Sequence, residues 1–173
     1  VPEMMWIKSR NNTRSWRVYH SSFSNGSLRL DSSAAKDTST NYFSTPTADN
    51  IILGTDNDTN KAYDYIAYLF ASLDGISKVG SYTGTGSTLN IDCGFTSGAR
   101  FVLLKRTDSA EEWRVFDTAR GIVAGNDPLL HLNSIGAEEA FDDLIDPYSA
   151  GFSLTSSGMV NGSGGSYIFY AIA

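Results

Sequence analysis

The chain repeats itself, and the repeat limits its possible folds more tightly than any other feature. Ile7-Lys8 is followed by Trp16-Arg17-Val18-Tyr19, and Leu104-Lys105 by Trp113-Arg114-Val115-Phe116, with the tryptophan eight residues after the lysine in both places. Leu28-x-Leu30-Asp31-Ser32 is matched by Leu130-x-Leu132-Asn133-Ser134, and Ile51-x-Leu53 by Phe152-x-Leu154. Each half closes on an apolar run, Tyr65 to Ala71 and then Tyr167 to Ala173. Landmarks in one order, twice over, mean a single supersecondary unit used twice. The halves fall at residues 1–73 and 74–173. Neither is large enough to bury a sufficient core alone, so they are expected to pack as one compact unit.

The unit is built from strands. Met4 to Lys8 and Phe101 to Lys105 read as buried strands, while Trp16 to Tyr19 and Trp113 to Phe116 alternate in the manner of half-buried ones. Asn25-Gly26 is a strong hairpin turn ahead of Leu28-Arg29-Leu30. Between the halves, Val79 to Phe95 reads as strand, Gly-rich turn and strand, alternating through Leu89, Ile91 and Cys93. The first half's equivalent of that hairpin would lie ahead of Val1, so the reading expects a domain cut from a longer protein. One helix is expected near 135–146: Ala137, Ala140, Phe141, Leu144 and Ile145 fall at helical spacing, with Ser134 as N-cap and Pro147 beyond the end. Its first-half counterpart, Ser33 to Asp37, has room for at most a short helical turn. Composition agrees with strands. Charged residues are 18%, aromatics 12%, and there are 16 Gly; small polar residues and Gly suit turns, and aromatic rings pack well on pleated surfaces. The expected class is all-β, an antiparallel sandwich or jelly-roll-like fold whose pseudo-repeated halves share a core.

Several function classes are disfavoured at once. A net charge of -6 and the absence of any Lys/Arg-rich run oppose a nucleic-acid partner, which needs a basic stripe. The longest apolar run, Tyr65 to Ala71, is too short to span a membrane as a helix, and no signal peptide is visible. Cys93 is the only cysteine, so no disulfide forms within the chain, which argues against a secreted eukaryotic domain even though four Asn-x-Ser/Thr triplets occur.

The paired patterns Trp6-Ile7-Lys8-x-Arg10 … Arg17-Val18-Tyr19 and Leu104-Lys105-Arg106 … Trp113-Arg114-Val115-Phe116-Asp117-x-x-Arg120-Gly121 extend over most of the chain. With them go Gly151-Phe152-Ser153-Leu154, Asn161 and Tyr167 to Ala173. Together these residues resemble a family of uncharacterised modules in structural proteins of tailed bacteriophages, many of them marine, which sit in tail-fibre or tail-tip proteins. That resemblance implies an exposed virion surface in the tail and a role in recognition or structure. It carries no active-site residues. A fibre context also implies a homo-oligomer, by preference a trimer.

Cys93 follows Leu89 and Ile91 on an inward-alternating strand and reads as a small buried hydrophobe rather than the partner of His20 or His131. Gly162-Ser163-Gly164-Gly165 breaks the spacing of a nucleophile elbow. The carboxylate pairs Glu111-Glu112, Glu138-Glu139 and Asp142-Asp143 read as solvated faces rather than the acid and base of a glycosidase. Asp56, Asp58 and Asn60 sit at the alternating positions of a calcium loop. Lys61 stands where such a loop needs Gly, however, and no Glu closes it, so an ordered metal-free loop is the stronger reading; no other cofactor is implied. Trp16 and Trp113 occupy equivalent repeat positions and read as core. Tyr42, Tyr82 and Tyr148 lie outside the repeat landmarks near turns, where an exposed ring could stack on a sugar. The expectation is therefore a non-enzymatic attachment domain that binds a bacterial surface glycan or protein through its loops. The alternatives are a purely structural virion module, such as a fibre spacer or capsid decoration, and less favourably a polysaccharide depolymerase.

Overall fold

The computed structural model describes residues 1–173. The first half supplies six strands: β1 (Met4–Ser9), β2 (Arg17–His20), β3 (Leu28–Arg29), β4 (Phe43–Ser44), β5 (Ile52–Leu53) and β6 (Tyr65–Phe70). The second opens with the hairpin β7 (Ser77–Thr83) and β8 (Leu89–Asp92). It then runs β9 (Phe101–Arg106), β10 (Arg114–Asp117), β11 (Leu130–His131), β12 (Ile145–Tyr148), β13 (Gly151–Leu154), a single helical turn α1 (Gly158–Asn161), and β14 (Ser166–Ile172). The four sheets have the orders β3-β2-β1-β6, β11-β10-β9-β14-β7, β12-β13-β8 and β4-β5. Every named pairing is antiparallel. The molecule is all-β, as expected.

The duplication extends to register. Met4 pairs with His20 on one side and Phe70 on the other; its counterpart Phe101 pairs with Asp117 and Ile172. Val18 faces Leu28 as Val115 faces Leu130, and the bridge Ser27–Asp37 is repeated by Leu129–Glu139. A register slip of one residue would turn every side chain to the opposite face, so two halves with the same inward pattern settle into the same pairing.

Alternation along β1 and β9 sorts the core into three layers. Met4, with the half-buried Trp6, faces the second half, meeting Leu103, Trp113, Val115 and Ile168 in a core that both halves share. Met5 and Ile7 point the other way, onto Tyr19, Tyr42 and Phe43 beneath β4-β5. Val102 and Leu104 pack with Phe116, Phe152, Leu154 and Phe169 beneath β12-β13-β8. Polar links cross the shared layer as well. Trp113 is fully buried and its Nε1–H donates to the Arg29 carbonyl at 2.8 Å. The buried Lys105 ammonium donates to the carbonyls of Ser33 (3.0 Å) and Glu111 (2.6 Å), and the backbone N–H of Lys36 donates to Thr107.

The helix expected near 135–146 does not form; this corrects the sequence reading. Residues 134–144 are irregular and lead straight into β12. Ser134 Oγ accepts the N–H of Gly136 two residues on, closing a local turn rather than capping a helix. Leu129 and Glu139 exchange backbone bonds, which holds the middle of the stretch extended. Ile135 and Phe141 are exposed while Leu144 and Ile145 are fully buried, so the apolar spacing never makes one face. The N–H groups of Leu144 and Ile145 are taken by the Asp127 carboxylate instead. Pro147, read as a helix stop, lies in the edge strand β12, where a missing N–H is tolerated. The helix that does form, α1, is capped by Ser157, whose side chain accepts from Met159. No helix is long and apolar enough to cross a membrane.

Candidate functional site

The three tyrosines singled out from sequence do not converge. Tyr42 is buried, which removes it as a stacking platform: its hydroxyl donates to Asp37 (2.7 Å) and the Arg17 guanidinium lies 3.9 Å from its ring centre. Burial and the Asp37 carboxylate push its phenol up to about 12. Tyr82 is half-buried, stacked flat on Tyr167 at 4.9 Å with its hydroxyl donating to the Val160 carbonyl, and it edges a cavity with Phe23 and Lys36. Tyr148 is half-buried and lines a separate hollow with Ser97, Thr118 and Ile122. Each ring plugs a margin of the sandwich.

The calcium-loop residues are also committed elsewhere. Asp58 is held by two guanidinium groups, Arg17 at 2.8 Å and Arg14 at 3.2 Å, so both its oxygens already face cations. Asp56 Oδ1 accepts the Asp58 N–H, and the Asn60 amide donates to the Gly54 carbonyl. A carboxylate already paired with two guanidinium groups is a poor ligand for a hard cation, which needs oxygens free to coordinate it. These carboxylate and amide groups order the loop instead, in the manner of Asx turns.

Cys93 is buried, as its alternation implied, and burial pushes its thiol up to about 12, far from a reactive thiolate. Glu111 pairs with Arg114 at 3.0 Å, and Glu112 accepts from Asn133. His20 is buried and burial lowers its pKa to about 4. Its Nδ1 accepts the Ser22 N–H at 3.1 Å and lies 2.8 Å from the Ser22 hydroxyl.

The surface feature with binding chemistry lies elsewhere, at the mouth of the shared core. Trp6, Trp16, Leu30, Asp31, Tyr68 and Leu132 line a cavity of about 390 Å³. Sheet register builds it: Trp6 on β1 pairs directly with Tyr68 on β6, and Trp16 leads into β2 on the other side. The Tyr68 ring lies 6.5 Å from Trp6, edge to face, and 6.1 Å from Trp16, tilted by 30°. Phe70 backs Trp6 at 4.6 Å. Tyr68 and the Leu132 rim are about half exposed (46% and 45%). One polar group lines it, Asp31, whose carboxylate stands at the rim; the Trp6 Nε1–H is buried without an acceptor. Predominantly apolar and aromatic walls with a few placed polar groups are the usual form of a small-molecule site. Aromatic faces carry negative charge density, so they suit the C–H face of a sugar ring, while Asp31 can accept from its hydroxyls.

A model of a domain of unknown function, DUF7483, matches residues 1–173. The chain belongs to this family. No curated protein and no solved structure matches it. Within this DUF7483 domain, the aromatic cavity was missed from sequence because Trp16 was assigned to the core through its counterpart Trp113. The signal lay in its neighbour: the second half has Leu103 where the first has Trp6, so the aromatic cluster belongs to one half only.

Proposed function

We propose that this domain is a non-enzymatic recognition module that binds a bacterial surface glycan in the Trp6–Trp16–Tyr68 cavity, on the exposed tail surface of a phage virion. The single observation that carries the binding half of this reading is that aromatic cavity, with the Asp31 carboxylate at its rim. The virion half rests on the resemblance of the repeat landmarks to tail-fibre and tail-tip modules, and a homotrimer follows from that context. The carboxylates considered for glycoside cleavage support a binder over a depolymerase: Glu111 is drawn to Arg114 and Glu138 lies 3.8 Å from Arg120. The second reading is a structural virion module, and the exposed apolar strand β6 favours it.

The test is binding of the labelled domain to an array of bacterial surface polysaccharides, with released reducing sugar assayed in parallel. Saturable binding without sugar release is expected, weakened at least tenfold by W16A or Y68A and unchanged by Y148F. Binding that survives both aromatic substitutions overturns the assignment of the cavity. A folded domain that binds no glycan favours the structural reading, and sugar release would restore the depolymerase.

A further inference from the structure

The second half is closed on one side by a hairpin that the first half lacks. Strand β7 pairs with β14 along its whole length, from Ser166↔Thr83 to Ile172↔Ser77, and β8 pairs with β13. The corresponding edges of the first half, on β6 and β5, have no neighbour. Exposure shows the consequence. Ile66 is 37% and Leu69 53% exposed, while their counterparts Ile168 and Ala171 are 1% and 0% exposed. Ala67 lies open where Phe169 is buried. A six-residue apolar edge with unpaired backbone groups is the arrangement that accepts an added strand, and natural edges normally guard against it with charge or proline. Tyr65 to Phe70 contains neither.

We propose that β6 is a docking edge for an extended strand donated by another polypeptide segment, antiparallel to β6 and in the register that β7 takes on β14. The internal repeat specifies the donor's chemistry. Its side chains alternate as in β7, where Ser77 and Val79 are buried. Opposite Ala67 it carries a larger apolar residue, because Gly80 of β7 is small only to avoid the Phe169 ring, which a Cβ at that position would meet at 2.4 Å. A second copy of this chain is a poor donor: its β7 is already paired with β14, and its own β6, Tyr65-Ile66-Ala67-Tyr68-Leu69-Phe70, lacks the polar and apolar alternation of β7. The inference goes beyond the glycan reading: the donor would lie beside Tyr68, but strand pairing concerns the backbone edge of β6 and is scored with no sugar present.

Hydrogen exchange on the whole domain tests it. The probe is a synthetic strand of residues 77–83 carrying G80V, added in excess, with a control strand that also carries V79P and S81P. A cis version places the same strand ahead of Met4 through the natural 84–100 connection, raising its effective concentration to about the millimolar range. Amide exchange across residues 65–70 is expected to slow at least tenfold, saturably with the free strand and in the cis version, and not with the proline control. Unchanged exchange in both formats overturns the proposal. Protection without any added strand that rises with protein concentration assigns the edge to a second copy and overturns it equally.

Discussion

At the scale of single residues, Trp16 and Trp113 test how far sequence equivalence extends to energetics. Both stand at the same repeat position, but Trp113 is wholly enclosed and Trp16 is half-buried at a cavity mouth. W113A removes a large buried ring and strands the Arg29 carbonyl, so it should lower stability by about 3–5 kcal/mol. W16A empties a site already open to water and should cost less than about half of that by the same reasoning. Urea denaturation of the two variants measures the difference; equal losses would mean that the cavity is closed in solution. His20 makes a pH prediction. Its folded pKa, about 4, lies below the ordinary 6.5, so the unfolded chain binds the extra proton first as pH falls. Stability therefore holds above about pH 6.5 and declines toward pH 4, by up to about 3 kcal/mol from this group. H20F should flatten that portion of the stability profile relative to the parent, and a His20 imidazole titrating near 6.5 by NMR would contradict the assignment.

Elements show what the sequence made legible and where it misled. The succession of strands along each half, the inward alternation and the placement of Cys93 are readable because they depend on a period of two and on a repeat that checks itself; which strands pair is not. The helix at 135–146 was misread because five apolar residues at helical spacing say nothing about competing partners. The decisive partner was Asp127, distant in sequence, whose buried carboxylate accepts from Leu144 (2.9 Å) and Ile145 (2.8 Å) and faces the Val123 N–H at 3.4 Å. The aromatic cavity is illegible in sequence for a related reason: whether an aromatic ring is covered depends on which strand lacks a neighbour. Burial raises the Asp127 carboxyl despite these amides, so the group is retained for organisation at an electrostatic cost. D127A leaves those N–H groups unsatisfied and should cost about 3 kcal/mol or more at 1–3 for each buried donor, releasing residues 123–145 to fast hydrogen exchange. Gly151 works at the same scale. A Cβ there would meet the Ile91 carbonyl oxygen at 2.1 Å, so G151A should cost about 1–3 kcal/mol and loosen β8 from β13 before it affects β9 or β10.

For the whole molecule, the shared layer decides whether two halves make one folding unit or two. Met4, Val18, Leu28 and Leu30 from the first half share one buried cluster with the second half's Val79, Leu103, Trp113, Val115 and Ile168. The carbonyls of Arg29 and Ser33 likewise find their donors across the divide, in Trp113 and Lys105. Neither half keeps these groups satisfied alone, so unfolding one uncovers the other and the penalty couples them. A single cooperative transition is expected, with a calorimetric enthalpy near 120 kcal/mol at about 0.7 kcal/mol per residue and equal to the van't Hoff value. The three tryptophans divide the report, since Trp6 and Trp16 lie in the first half and Trp113 in the second. A W6F/W16F variant and a W113F variant should each give fluorescence and far-UV dichroism transitions that coincide. Adding L103A, which cuts only the shared layer, should lower the midpoint seen from both halves by the equivalent of about 2–5 kcal/mol. A first-half signal that melts early while the second half holds would show that β9, β10 and β14, closed by β7, form a self-sufficient body. The open β6 side would then be a place where this chain depends on a strand from elsewhere for its stability as well as for its contacts.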